Sequence, residues 1–375
     1  MKNITLKGSF TEMGQQYGKE CKKEIKSFAK MSYIMASLSK KPGSQPFNPN
    51  MWRFIPTLLT YKKEKSKWQD LAKQYENEIL KYHPDALDFI KGIARGAELP
   101  YIDVLALNIS TENMITCSAW GAVGKSTLNN EPLLGMNSDE ETMASKYYHF
   151  LSINPNKGYR YKVTALSGWS GFNNGMNEKG LSWVGTLLWT KPEIPKTLRP
   201  PMMVLMKVLN TCSTVEEVKA YFESVPNHEL GSVFYIADTE KIMHVECTYE
   251  KKVYRIIENG TQGNTNLATY PELQYLNIGH QLKQNLNADF RSIRMKKLLS
   301  QYDGKIDVEV MHAIASDHGD KEDGTHNKSI CQHPKGLKYN YKTLVNFIAQ
   351  PREKCFWIYE GCPCENKVKK YDFNN

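Results

Sequence analysis

Apolar positions recur along this chain at two different periods, and the change between them falls at residue 117. Before it the spacing is helical. Ser9-Phe10-Thr11-Glu12 places a serine and a glutamate three residues apart, the pattern of a capping box. Behind it Met13, Tyr17, Cys21, Ile25 and Phe28 draw one apolar stripe in steps of three and four residues. The stretch 41–50, KPGSQPFNPN, predicts a turn-rich break. Trp68, Leu71, Tyr75 and Leu80 resume the helical step. Pro84 suits the first turn of a helix over 86–95, and 101–113 predicts one more.

From Cys117 onward the pattern is that of strands. Segments 118–125 and 133–136 flank the turn-like Leu128-Asn129-Asn130-Glu131 and predict a hairpin. Strands follow at 147–153, 159–166 and 181–188, and helical spacing returns at 201–210 and 214–224. A second hairpin joins 232–237 to 242–248 through Asp238-Thr239-Glu240-Lys241, and 253–257 extends it. Helices at 288–302 and 307–315 precede a third hairpin, 343–349 and 354–360, turned through Gln350-Pro351-Arg352-Glu353. A helical prefix followed by strands and helix pairs is an α+β pattern with antiparallel sheets.

With 375 residues, 41% hydrophobic and 24% charged, the chain has the balance of a folded globular protein. Length alone suggests two or three domains, yet no linker or repeat marks a cut. No apolar run approaches the roughly 18 residues of a membrane span. MKNITLKGSF lacks the apolar core of a secretory signal. The expectation is a cytoplasmic protein with reduced thiols and no membrane partner. Forty-nine basic against forty acidic side chains give +9, but the charges are dispersed. Even the dense 62–67 tract is interleaved with an acid, so nucleic acid is not an expected partner.

Eight cysteines and nine histidines are spread along the chain. Cys362-Pro363-Cys364 is not a CxxC, and no second pair follows at a zinc-finger interval, so no metal is expected. Phosphate-binding loops, dinucleotide fingerprints and serine-hydrolase elbows are missing. Most of the thiols read as small buried hydrophobes. Asp317-His318 leaves open a cysteine–histidine nucleophilic pair.

Several short blocks occur in one order. They are Leu6-Lys7-Gly8-Ser9 with Glu12-Met13-Gly14-Gln15-Gln16-Tyr17-Gly18; Gly92-Ile93-Ala94; Leu105-Ala106-Leu107-Asn108 with Glu112; Cys117-Ser118; and Gly135-Met136-Asn137-Ser138-Asp139. The blocks continue with 171–181, Thr265-Asn266, Ser316-Asp317-His318, Ser329-Ile330-Cys331 and Gly361-Cys362-Pro363-Cys364. Together they resemble the penicillin acyltransferase family, the cysteine branch of the N-terminal-nucleophile hydrolases. The resemblance spans nearly the whole chain. It implies an αββα sandwich of two antiparallel sheets and a thiol enzyme acting on linear amides without cofactor or metal.

The same resemblance implies self-cleavage between Thr116 and Cys117. In such enzymes the base is the nucleophile's own α-amine, whose pKa of about 7.7–8.0 sits near working pH. That amine exists only once the preceding peptide is cut. The chain would become a helical segment, 1–116, held against a catalytic core, 117–375. Cys117 is then the nucleophile and Asp139 the carboxylate that orients its amine, the other reading of Asp139 being a solvated residue in the acidic run Asp139-Glu140-Glu141. Asn266 is the oxyanion donor by resemblance, with Asn264 a rival. Asn137 would position, and Arg294 matches a family arginine loosely. Trp169 and Phe172, with Trp183 and Trp189, are candidates for the acyl pocket, although such aromatics are usually core. The expected partner is a small acyl amide, with a homo-oligomer also compatible.

Two departures bear on this. Thr116 stands where the family often has glycine, and Met136 where the related bile-salt and penicillin V hydrolases carry arginine. These leave two alternatives open: a non-processing relative that acts as a binding module, and a papain-like enzyme pairing Cys117 with His318.

Overall fold

A computed structural model describes residues 1–38, 54–109, 115–172, 174–191, 203–227, 231–277, 288–322, 328, 330–334 and 341–373. The expected break at 41–50 lies outside these residues.

The chain opens with strand β1 (Lys2–Gly8) and helices α1 (Phe10–Glu20), α2 (Lys22–Leu38), α3 (Phe54–Tyr82), α4 (Pro84–Ala97) and α5 (Tyr101–Ile109). There follow β2 (Ile115–Val123), β3 (Leu133–Glu141), β4 (Tyr148–Pro155), β5 (Tyr161–Leu166), β6 (Asn174–Asn177) and β7 (Ser182–Leu187). Helices α6 (Val204–Thr211) and α7 (Val215–Ser224) lead to β8 (Ser232–Ala237), β9 (Ile242–Cys247), β10 (Lys252–Ile257) and β11 (Gly260–Asn264). The chain closes with α8 (Pro271–Gln274), α9 (Ala288–Gln301), α10 (Val308–Ala315), β12 (Tyr341–Gln350), β13 (Cys355–Glu360) and β14 (Val368–Asp372).

Two sheets form, ordered β1-β4-β5-β6-β7-β8-β9-β10 and β11-β2-β3-β12-β13-β14 among the described residues. Three apolar layers hold them. One packs α1, α4, α6 and α7 onto the outer face of the larger sheet, through residues such as Met13, Phe89, Leu209, Val218 and Trp183. A second lies between the sheets, with Ala119, Met136, Val184, Tyr235 and Phe347. The third packs α9 and α10 onto the smaller sheet, through Trp120, Met295, Met311 and Ile348. The fold is therefore an αββα sandwich, and alternation along each strand feeds a different layer from each face.

All three expected hairpins form, and β10 extends the second. The capping box is present: Ser9 Oγ accepts from the Glu12 N–H, and Glu12 accepts from the Ser9 N–H at 2.7 Å. A second one, Thr214 with Glu217, starts α7.

Two expectations need correction. The segment before residue 117 is not purely helical, because β1 adds an edge strand to the larger sheet. That pairing, with β4, is parallel, so the larger sheet is mixed rather than antiparallel throughout. Ile4 and Leu6 are buried in it, but a strand with two buried apolar positions is too short a signal beside a strong helical stripe.

Candidate active site

Cys117 lies in β2 with its side chain fully buried between the sheets. The register of three neighbouring strands sets its surroundings. Cys117 faces Ser138 of β3, while Thr116, Asp139 and Thr343 stand in one row across β2, β3 and β12. A register shift between Thr343 and Val345 falls in that row, and bulges of this kind re-aim side chains near sites. The Thr343 hydroxyl donates to Asp139 Oδ1 at 2.7 Å.

The other two members arrive from the loop and helix after β11. Asn264 Oδ1 accepts from the Asn266 N–H at 2.9 Å, closing a turn in which Asn266 has φ of 76°. Asparagine tolerates this left-handed conformation better than most residues. Buried Glu246 braces the loop by accepting from the Thr269 N–H at 2.7 Å and the Tyr270 N–H at 3.1 Å. Thr265 Oγ1 donates to the Ala288 carbonyl at 2.8 Å, fixing the start of α9, and one turn later stands Arg291.

Arg291 has no solvent exposure and ties the site together. Its Nη1 donates to Asp139 Oδ2 at 2.9 Å and to the Cys117 carbonyl at 3.2 Å. Its Nη2 donates to Asn266 Oδ1 at 2.7 Å. Asn266 Oδ1 also accepts from the Cys117 N–H at 3.2 Å. Both donors require the amide oxygen, so the orientation of Asn266 is fixed. Its Nδ2 turns away, to Thr186 Oγ1 and the Leu187 carbonyl, each at 2.8 Å.

The Asn266 oxygen, not its NH2, therefore faces Cys117. Asn264 Nδ2 donates to the Leu267 carbonyl at 2.6 Å.

Arg294 lies outside this network. It lies three residues beyond Arg291 but is bound to Asp317, at 2.8 and 2.7 Å, in the loop after α10. Asn137 donates to the carbonyls of Ala315 and Ile330 and accepts from Asn346 Nδ2, so it joins β3 to the α10 side. Trp169 shares the inter-sheet layer with Cys117 and packs on Phe28. Phe172 and Trp183 belong instead to the outer helical layer, away from the thiol. Met136 is apolar filling between the sheets, and the cation beside Asp139 comes from α9.

Electrostatics follow from the burial. Loss of water pushes the Cys117 thiol well up, and the charges of Asp139 and Glu140 add to this. The Asp139 backbone N–H and Arg291 act in the opposite direction. In the uncut chain the sulfur is therefore a protonated thiol. Burial raises Asp139 to about 7, against the pull of Arg291 and Thr343. Glu140, bonded to the Tyr148 hydroxyl, rises to about 8, and Glu141 to about 7. The acidic run is not a solvated turn. Among the described residues no histidine is a hydrogen-bond partner of Cys117, and His318 bonds His333 at 3.0 Å.

Residues 126–365 match the family described as acyl-coenzyme A:6-aminopenicillanic acid acyl-transferase, well over half of the chain. The chain belongs to that family. It is accordingly an enzyme of the acyl-transferase kind that the family description gives. The matched span of this acyl-transferase family takes in Asp139, Asn266 and Arg291, and it begins past Cys117. No curated protein matches the sequence.

Among solved structures, penicillin V acylase from Agrobacterium tumefaciens is similar at 16% identity, covering 69% of this chain and 87% of that one, with a TM-score of 0.45. The Caenorhabditis elegans ortholog of N-acylethanolamine-hydrolyzing acid amidase is similar at 12% identity over 63% of this chain and 93% of that one, TM-score 0.44. A mutant of conjugated bile acid hydrolase from Clostridium perfringens gives 16%, 69%, 97% and 0.38 in the same order. Among the described residues no helix is long and apolar enough to cross a membrane.

Proposed function

We propose that this enzyme activates itself by cutting between Thr116 and Cys117, and then hydrolyses or transfers acyl groups of small linear amides through a thioester on Cys117. The observation that carries the reading is the grip on Cys117: its N–H on Asn266, its carbonyl on Arg291, and Arg291 on Asp139, all buried.

In the first step Cys117 Sγ attacks the Thr116 carbonyl carbon. The thiol proton passes to the Cys117 nitrogen as the peptide C–N bond breaks. Water then cleaves the thioester, leaving a Thr116 carboxyl and a Cys117 with free amine and thiol.

In turnover that amine takes the thiol proton while sulfur attacks the substrate acyl carbon, and the ammonium returns the proton to the leaving amine. Asn266 Oδ1 and Asp139 are placed to favour and orient the ammonium, as the third member of a triad does for its base. Arg291 offsets the carboxylate charge in a fully buried site. Water or an acceptor amine then resolves the thioester. Against a papain-like mechanism, the candidate His318 is bonded to His333 rather than to Cys117.

Mass spectrometry of the denatured protein tests the cut. Two species are expected, one ending at Thr116 and one beginning at Cys117; an intact chain alone would overturn self-cleavage. Cys117→Ala should stay uncut and inactive. Released amine, scored across N-acyl amino acids, penicillins and bile-acid conjugates, identifies the substrate.

A further inference from the structure

Three cysteines and two histidines that the proposed chemistry does not use converge beside the smaller sheet, next to the start of β12 and the end of β13. We propose that His318, Cys331, His333 and Cys364 form a structural site for zinc, with Nε2 of both histidines and Sγ of both cysteines as ligands. These four atoms lie within 4.8 Å of one another.

Four of the six spacings between them are close to those of a tetrahedral coordination shell, and the other two lie within 4.8 Å. Zinc bonds of about 2.3 Å to sulfur and 2.0–2.1 Å to nitrogen set ligand-to-ligand edges of about 3.8 Å for two sulfurs, 3.6 Å for mixed pairs and 3.3 Å for two nitrogens. Cys331 and Cys364 are 3.5 Å apart. His333 Nε2 lies 3.7 Å from Cys331, 3.3 Å from Cys364 and 3.0 Å from His318 Nε2. Two imidazole nitrogens facing each other at 3.0 Å are readily explained as two ligands of one cation.

The surroundings complete the arrangement. His333 Nδ1, the nitrogen left free for the outer shell, is 3.3 Å from Glu365 Oε1. A carboxylate behind a ligating histidine fixes its ring and tautomer. Two thiolates and two neutral imidazoles balance a divalent charge, and thiolate with imidazole selects zinc over magnesium or calcium. The loop of His318 is pre-set: Asp317 is clamped by Arg294, and its carbonyl accepts from the Cys331 N–H at 2.9 Å. Cys362 lies to the side, 3.8 Å from Nδ1 of His333 rather than Nε2.

The site also reaches the proposed active centre. Gln332, between ligands Cys331 and His333, exchanges hydrogen bonds with Thr343, its N–H donating to Oγ1 at 2.9 Å and its carbonyl accepting at 3.1 Å. Thr343 in turn holds Asp139. A bound cation would fix the segment that positions the carboxylate.

The test uses full-length protein purified under reducing conditions after expression in zinc-supplemented medium. Elemental analysis should find about one zinc per chain, tightly held as in other thiolate–imidazole sites. Cobalt exchanged into the site should show the intense visible bands of tetrahedral thiolate coordination. Cys364→Ser changes an exposed residue and should fold normally yet lose the metal, whereas Cys117→Ser and Cys362→Ser should keep it. Wild-type protein that binds neither zinc nor cobalt, or that carries a Cys331–Cys364 disulfide after reducing purification, would overturn the proposal. So would unchanged binding in Cys364→Ser, or loss of metal in Cys362→Ser. None of these readouts depends on self-cleavage or turnover, so the proposal can fail while the reading of Cys117 stands.

Discussion

Two arginines one helical turn apart have different work. Arg291 is wholly buried and joins Asp139, Asn266 and the Cys117 carbonyl, whereas Arg294 holds the loop of Asp317. A buried guanidinium with three acceptors leaves an uncompensated carboxylate when it is removed, at a cost of about 3–5 kcal/mol. Arg291→Leu should therefore lower stability and reduce the rate of self-cleavage by at least about 100-fold, the scale of losing one positioned donor in an active site. Arg291→Lys keeps the charge but not the fork, and should rescue folding more than cleavage. Arg294→Leu should cost about 1–3 kcal/mol of stability and still cut. Time courses of cleavage, read beside denaturant unfolding, separate the two; a normal rate in a folded Arg291→Leu would refute the assignment. Sequence pointed to Arg294 only through a loose match to a family arginine, and residues three apart on a helix share a face, so periodicity does not separate it from Arg291. Which of them meets Asp139 is decided by where α9 lands, held by the bond from Thr265 to the Ala288 carbonyl.

At the level of elements, the most informative contact is the crossing of α1 and α4. Gly14 and Gly18 on one helix meet Gly92 and Gly96 on the other. A Cβ added at Gly14 would lie 2.1 Å from the Phe89 carbonyl oxygen, and one at Gly92 would lie 2.1 Å from that of Thr11. The two backbones touch, so the glycines in the Glu12–Gly18 and Gly92–Ala94 blocks have a packing reason. Gly92→Ala must push the helices apart and should destabilise the protein by about 1–3 kcal/mol or more. The midpoint of denaturant unfolding, measured in a Cys117→Ala background to keep one chain, checks this; an unchanged midpoint would sink the close-approach account. Long elements with clear periods were legible, among them α1, α4, α7 and all three hairpins. Strands β1, β6, β11 and β14 were not. β6 (NGMN) and β11 (GTQGN) have the composition of turns, and β14 is largely exposed at a sheet edge. Their partners, not their own side chains, make them strands.

For the molecule as a whole, the proposed cut falls within a strand rather than in a linker between domains. Residues before it supply β1 to the larger sheet, paired with β4 over its full length, and pack α1 and α4 into the outer layer. After cleavage the two pieces should therefore remain one particle. Native size-exclusion chromatography is expected to give a single peak containing both, and denaturation should be needed to part them. Separate elution under native conditions would contradict the shared core.

By itself the sequence determined the helical prefix, the switch at Cys117, the antiparallel hairpins and the family, because periodicity and short motifs are local properties of a chain. It also singled out Cys117, Asp139 and Asn266. Only the tertiary structure decided that Arg291 rather than Arg294 faces Asp139, that the Asn266 oxygen rather than its NH2 meets Cys117, and that Phe172 belongs to the outer layer. It alone gathers His318, Cys331, His333 and Cys364, which come from three separate segments with no zinc-finger spacing. Contacts of this kind depend on strand register and on where distant elements dock, and neither is written in the order of neighbouring residues.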